Sequence, residues 1–270
     1  MSHLSALFDF YLKSSTHVSL AVVAFSGITM LEFGIDPNRH LLIFIFFASV
    51  TGYNFVKYTA IARFHHFSLS GSLRAIQLYS LFCFLGLLWA AVRLPVPVLL
   101  AAAILGGFNM LYALPVFSGQ SNLRSLTGAK IFVIALVWTG STVWLPALDA
   151  RLPLSAGLAL ASLQRFLFVM VLTLPFDIRD VRLDTAHLGT VPQLVGIKKT
   201  RNMGLLMLGL VLLLNVFRPA AGGIQTFVLI AVTLLTGWLI RTSVVSQNRY
   251  FAAFWVEGVP VLWWLMLTVL

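Results

Sequence analysis

An all-α membrane bundle of about nine transmembrane helices is predicted for this chain of 270 residues, and three features predict it. Hydrophobic residues make up 60% of the chain and charged residues only 10%. The apolar residues gather in runs close to the ~20 residues a helix needs to cross a ~30 Å hydrocarbon layer. The basic residues fall between those runs in an alternating pattern. A soluble domain of this length could not bury so much apolar surface, so lipid must be the solvent for much of it. Residues 1–270 are expected to form a single membrane-embedded domain.

Taken in order, the chain opens unlike a signal peptide. Asp9 and Lys13 interrupt it, and a polar stretch from Ser14 to His17 precedes the first long apolar run. Leu4, Leu7, Phe8 and Tyr11 fall at helical spacing, which suits a short helix lying on the membrane surface. The spans are expected at His17–Phe33, His40–Val56, Ala75–Arg93, Val96–Phe117 and Ala129–Leu148. They continue at Leu154–Phe176, Met203–Phe217, Ile224–Ile240 and Phe251–Leu270. The seventh is short, and the sixth contains Arg165. Cys83 is alone inside an apolar run, so neither a disulfide framework nor a thiolate metal site is available.

Orientation follows from the cations. One side collects Lys13, Lys57, Arg63, Arg74, Arg124, Lys130, Arg179, Arg182, Lys198, Lys199, Arg201, Arg241 and Arg249. The other has Arg39, Arg93, Arg151 and Arg218. Positive residues stay in the cytoplasm, so the N-terminus is expected inside and the C-terminus outside. The net charge of +10 is therefore read as topology-setting loop charge, with the lipid bilayer rather than nucleic acid as the partner. Two long connections are expected on the inner face, from Lys57 to Arg74 and from Asp177 to Asn202; loops of that length are usually lids or binding loops.

Of eight acidic residues, three lie within eight positions: Asp177, Asp180 and Asp184. If the sixth helix continues through them, steps of three and four put all three on one face, with Arg179 and Arg182 opposite. Like charges so arranged need a cation, and such carboxylates are the hard ligands that Mg²⁺ takes together with substrate phosphates. An ordinary polar loop balanced by Arg179, Arg182, Lys198 and Lys199 is the plainer reading of the same residues.

The segment Asp177–Asp184 resembles the second aspartate-rich motif, DxxDxxxD, of the UbiA superfamily of intramembrane prenyltransferases. Gly189-Thr190-Val191-Pro192-Gln193-Leu194-Val195-Gly196 is similar to the threonine–proline–glycine stretch that follows it there. Tyr112-Ala113-Leu114-Pro115, with Arg124 and Lys130, is similar to the family's tyrosine–proline turn and basic loop. The resemblance implies a bundle around a central cavity that opens sideways to lipid. It also implies transfer of a prenyl group from an isoprenoid diphosphate to a lipophilic acceptor, often an aromatic ring. Asp177, Asp180 and Asp184 would hold Mg²⁺ on the diphosphate.

The first motif departs from the family. Asn54 matches its leading asparagine, but Phe55, Tyr58 and Ala62 stand where aspartates belong, and the usual lysine before Thr190 is missing. Lys57, with Arg63, could supply the positive charge that a second metal would have provided; as a plain alternative, Lys57 is a snorkelling lysine at the membrane edge. The diphosphate-binding set expected from these matches is Asn54, Lys57, Arg63, Lys130, Lys198 and Lys199, with no catalytic residue assigned. His65 and His66 read as loop residues, since adjacent histidines alone give no ligand set. Arg165 and Glu257 lie within spans, where a buried bridge between them is expected to have a structural role. A relative that binds an isoprenoid or quinone without turnover is the alternative to an enzyme; a transporter is the third reading.

Overall fold

The computed structural model describes residues 3–64, 71–114, 128–182, 189–218 and 222–270, with side chains from residue 5 onward except 59–64 and 71–72. Asp184, His65, His66, Pro115 and Arg124, and the side chain of Arg63, lie outside the described residues.

The described residues fold as helices: α1 His3–Lys13, α2 Thr16–Glu32, α3 Arg39–Phe64, α4 Gly71–Ala91, α5 Val96–Ala113 and α6 Ala129–Thr139. α7 Leu145–Asp149, α8 Ala156–Asp180, α9 Val191–Val195, α10 Ile197–Val216, α11 Gly223–Thr242 and α12 Val259–Val269 follow. A π-helical stretch, Gly140–Trp144, joins α6 to α7 in one span, and a second, Phe251–Val256, leads into α12. Eight helices among the described residues are long and apolar enough to cross a membrane; α1 and α2, bent by 58°, bring the number to nine as a pair.

Local chemistry explains the boundaries. Asn38 accepts backbone N–H bonds from His40 (3.0 Å) and Leu41 (3.4 Å) at the start of α3, and Ser155 accepts one from Leu158 (3.2 Å) at the start of α8. Pro97 opens α5, where a missing N–H costs nothing. Ser15 takes a positive φ of 63° between α1 and α2, which turns the chain sharply.

Helices α2 and α8 form the interior, and the others close around them. α2 packs on α3 and α12, α8 on α6 and α10, and α3 on α4 and α5; α11 completes the ring between α10 and α12. In α8, 56% of the apolar stretch is buried, against 11% in α5, which turns Val96, Leu100 and Ile104 outward. Phe25, Phe168 and Trp263 pack edge-on or tilted at 5.1–6.0 Å between ring centres in the middle of the bundle.

Two expectations change. The 57–74 connection is mostly helix: α3 runs on to Phe64, so Lys57 is a helical residue. The seventh span is not short, because α10 starts at Ile197 and carries Lys198, Lys199 and Arg201 on its first turns. α1 forms as expected and also packs on the bundle: Phe8 lies on Tyr250 and Phe254 at 5.2 Å each, and buried Asp9 accepts from Arg249 (3.0 Å) and Tyr250 (2.9 Å).

The expected Arg165–Glu257 bridge is not formed. Arg165 is buried beside α2, where it donates to the Phe25 carbonyl (2.7 Å), Thr142 (3.3 Å) and Thr29 (3.4 Å) and lies 4.1 Å from the centre of the Phe25 ring. Its charged neighbours are Glu32 and Arg218, which pair with each other at 3.1 Å. A guanidinium has enough donors to be satisfied by carbonyl and hydroxyl oxygens, so it needs no carboxylate of its own.

Candidate functional site

One end of the bundle gathers the C-terminal turns of α1, α3 and α8, the first turn of α6 and the segment leading into α12. Pro175 sits inside α8 two residues before Asp177 and removes a helical hydrogen bond there. Gln247 donates to the Pro175 carbonyl at 3.2 Å. Beyond it, Asp177 is fully buried and accepts from Lys130 Nζ of α6 at 2.7 Å. Two expected roles, metal ligand and phosphate cation, therefore meet in one ion pair.

Asp180 lies one turn further on. Arg179 grips both its oxygens, Nε at 2.7 Å and Nη2 at 2.8 Å, and rests 5.3 Å from the centre of the Phe176 ring. This corrects the expected separation of arginines from aspartates: the long guanidinium side chain folds back to a bidentate fork. The helix ends at Asp180, so α8 holds Asp177 and Asp180 on a common face; Asp184 lies outside the described residues. Among the described residues no group of three His, Cys, Asp or Glu side chains converges.

The threonine–proline–glycine stretch lies against this end. Thr190 N–H donates to Gln193 Oε1 (3.0 Å), starting the short α9, and Gln193 Nε2 reaches the Val181 carbonyl at 3.4 Å. A Cβ on Gly128, which precedes α6 with φ 73°, would stand 4.0 Å from the Gly189 carbonyl oxygen. The matching stretches before α6 and before α9 are thus adjacent.

On α3, Asn54 is buried and its amide is fully engaged. Its Oδ1 accepts from Ser15 (2.8 Å), and its Nδ2 donates to the Ser14 carbonyl (3.0 Å) and to Ser80 (2.8 Å). It clasps the α1–α2 bend to α3 and α4. One turn on, Lys57 Nζ donates to the Lys13 carbonyl at 3.1 Å, and Tyr58 reaches the same oxygen at 2.9 Å. Lys57 also interacts electrostatically with Arg179 and Glu257. Lys198 and Lys199 are exposed at the start of α10 and form no ion pair with the described carboxylates.

Residues with no sequence signal join this end. Trp138 Nε1 donates to the Tyr53 hydroxyl at 2.6 Å. His17 faces the Phe254 carbonyl through Nε2 (2.9 Å) and the Tyr11 hydroxyl through Nδ1 (2.7 Å). A carbonyl can only accept, so Nε2 carries the proton, and in the neutral ring Nδ1 accepts from Tyr11. Tyr11 and Tyr53 both feel the charge of Glu257, which stands just past the π-helical stretch. Glu257 was recognisable as a charge within a span, but its neighbours were not.

Away from these charges, an apolar cleft of about 310 Å³ lies between α5 and the α6–α7 span, lined by Ile104, Leu105, Phe108, Leu136, Thr139 and Trp144 among others.

A helical bundle that buries paired carboxylates and cations at one end defines a polytopic membrane protein with a polar site at the edge of its apolar interior. Its fold is that of UbiA homologues. The chain is similar to a UbiA homologue from Archaeoglobus fulgidus bound to DMAPP and Mg²⁺, with TM-score 0.66 and 13% identity over 96% of this chain and 98% of that one. A UbiA homologue from Aeropyrum pernix K1 in the apo state gives TM-score 0.64 and 17% identity over 93% and 97%. A digeranylgeranylglyceryl phosphate synthase gives 0.58 and 14%, over 97% of each chain. No protein-family model and no curated protein sequence matches the chain.

Proposed function

We propose that the protein transfers a prenyl group from an isoprenoid diphosphate to a lipophilic acceptor at the end of the bundle that holds Asp177, Asp180 and Lys57. One observation carries this reading. Carboxylates of α8 and cations from α3, α6 and α8 converge at the mouth of an apolar bundle, in the fold of proteins whose structures hold DMAPP or GPP with Mg²⁺.

The donor set suits Mg²⁺. Asp177 and Asp180 offer hard oxygens one turn apart, and Mg²⁺ on a diphosphate commonly uses one or two carboxylates rather than a full protein cage. Asp184 would extend the set. Mg²⁺ would offset the charge that develops on departing diphosphate. Lys57, Arg179 and Lys130 would bind diphosphate oxygens, with Arg63, Lys198 and Lys199 as an outer basic rim. Asn54 has a different part in this reading: it holds the bend that places Lys13 and Lys57. The diphosphate leaves from C1 of the prenyl chain, the acceptor bonds to that carbon, and the proton it loses passes to a base or water. The preponderance of cations at this end supports a cytoplasmic site and N-terminus, with the C-terminus outside.

A binder without turnover is favoured by one observation: Lys130 and Arg179 already neutralise the two aspartates. Diphosphate release from labelled geranyl diphosphate by the purified chain decides between them. Release that needs Mg²⁺ and is lost in Asp180→Asn is expected; tight binding with no release refutes the enzyme and leaves the binder.

A further inference from the structure

A second polar cluster lies toward the opposite end of the bundle from Asp177 and surrounds a small cavity. Glu32 ends α2, Arg218 lies just past α10, and Gln164 and Arg165 belong to the first half of α8. The cavity measures about 10 Å³, and these four residues line it together with Phe168 and Trp263. That is room for about one water-sized particle. Arg165 stands roughly 18 Å along α8 from Asp177, at the rise of an α-helix, so this cluster is separate from the site of the proposed transfer.

The cluster carries one positive charge in excess. Arg218 donates through Nη2 to Glu32 Oε2 at 3.1 Å and through Nη1 to Gln164 Oε1 at 3.0 Å, so the one carboxylate is taken. Arg165 is only 4% exposed, in a membrane-spanning helix, and has no carboxylate within 4.0 Å among the described residues. The Phe25 carbonyl, Thr142 and Thr29 hold its guanidinium but use three of its five N–H groups, leaving the Nε–H and one hydrogen of Nη2. Trp263, 5% exposed, brings an indole N–H with no hydrogen-bond partner among the described residues. Gln164 gives one Nε2 hydrogen to the Val211 carbonyl at 2.8 Å and keeps a second. Unused donors thus outnumber acceptors around a buried cation. A water molecule would satisfy donors and leave the charge; an anion answers both.

We propose that this cavity binds a single halide ion, chloride being the abundant one. The ion accepts from the unused N–H groups of Arg165 and from the indole N–H of Trp263, and it compensates the guanidinium that Glu32 leaves unpaired. Size gives the selectivity: the cavity admits a monatomic ion and excludes sulfate, phosphate or a lipid carboxylate. Arg165 already joins α8 to α2 and to the π-helical stretch before α7, and Trp263 belongs to α12. Chloride therefore ties the interior helices to the closing one. Binding only the folded chain, it raises stability with its concentration.

The test uses the purified full chain in nanodiscs of zwitterionic lipid, with gluconate replacing chloride at constant ionic strength. Chlorine NMR should show saturable broadening of the chloride line by the protein, abolished by bromide and not by an equal concentration of sulfate. The thermal-unfolding midpoint should be higher than in gluconate by about 3–6 °C at ten times the dissociation constant. Arg165→Met should lose both effects. Trp263→Phe keeps a ring and removes the N–H, and should raise the chloride dissociation constant about 10-fold, the size of one hydrogen bond to a charged group; it decides the matter if Arg165→Met does not fold. Absence of saturable broadening, equal displacement by sulfate, an unchanged chloride response in Arg165→Met, or an unchanged dissociation constant in Trp263→Phe overturns the proposal. None of these readouts depends on prenyl transfer.

Discussion

Lys130 and Asp177 make the sharpest stability prediction, because their geometry permits a magnitude. The side chains are 15% and 1% exposed, and Nζ lies 2.7 Å from Oδ1. At an effective dielectric of about 20, that separation gives a gross attraction of about 6 kcal/mol. Desolvating both groups consumes much of it, so removing one partner should cost about 3–5 kcal/mol, most of it the penalty of a buried charge left behind. Lys130→Met and Asp177→Asn should each destabilise by that order. The double variant should cost less than the two singles together, by an interaction energy of at least about 1 kcal/mol. SDS-induced unfolding of the purified chain in mixed micelles, followed by tryptophan fluorescence, reads all four corners of the cycle. An additive cycle, with an interaction energy below about 0.5 kcal/mol, would mean that the pair is not coupled and the derivation is wrong.

Two further substitutions follow from packing and hydrogen bonding. Asn54→Ala removes the acceptor of the Ser15 hydroxyl and the donors to the Ser14 carbonyl and Ser80, and frees the α1–α2 bend; a loss of about 1–3 kcal/mol is expected in the same unfolding assay, with faster proteolysis near Ser15. A Cβ at Gly204 would strike Ile240 Cδ1 and stand 3.1 Å from Leu174 Cδ1, so Gly204→Val should push α10 from α8 and α11 at a cost of about 1–3 kcal/mol. Gly209 on the same helix has open space, and Gly209→Ala should instead stabilise by up to about 1 kcal/mol.

Much of the architecture was legible in the residues. All nine apolar runs became helices, and their order and approximate limits follow from hydropathy, because lipid demands long helices whose backbone groups bond internally. The missed lengths have a common cause. Lys57 and Lys198 look like loop residues by polarity, yet a helix can carry such residues past the hydrocarbon, where their side chains reach water or a carbonyl. The error over Arg165 was of another kind. A charge within a span suggests an opposite charge, whereas here carbonyl and hydroxyl oxygens of α2 and the π-helical stretch satisfy it.

By itself the sequence determined the apolar solvent, the run of membrane-length helices and the carboxylates at the end of α8, since each depends on composition or on spacing along one helix. Only the tertiary structure decided which cation meets which carboxylate. Lys130 and Asp177 are 47 positions apart, and His17 and Phe254 are 237 apart. In a bilayer the outward face of a helix is as apolar as its inward face, so periodicity does not reveal which residues turn toward one another. Glu257 shows the difference most plainly: the residue is visible in the sequence, but the π-helical turn that precedes it and the closure of α12 on α2 belong to the fold.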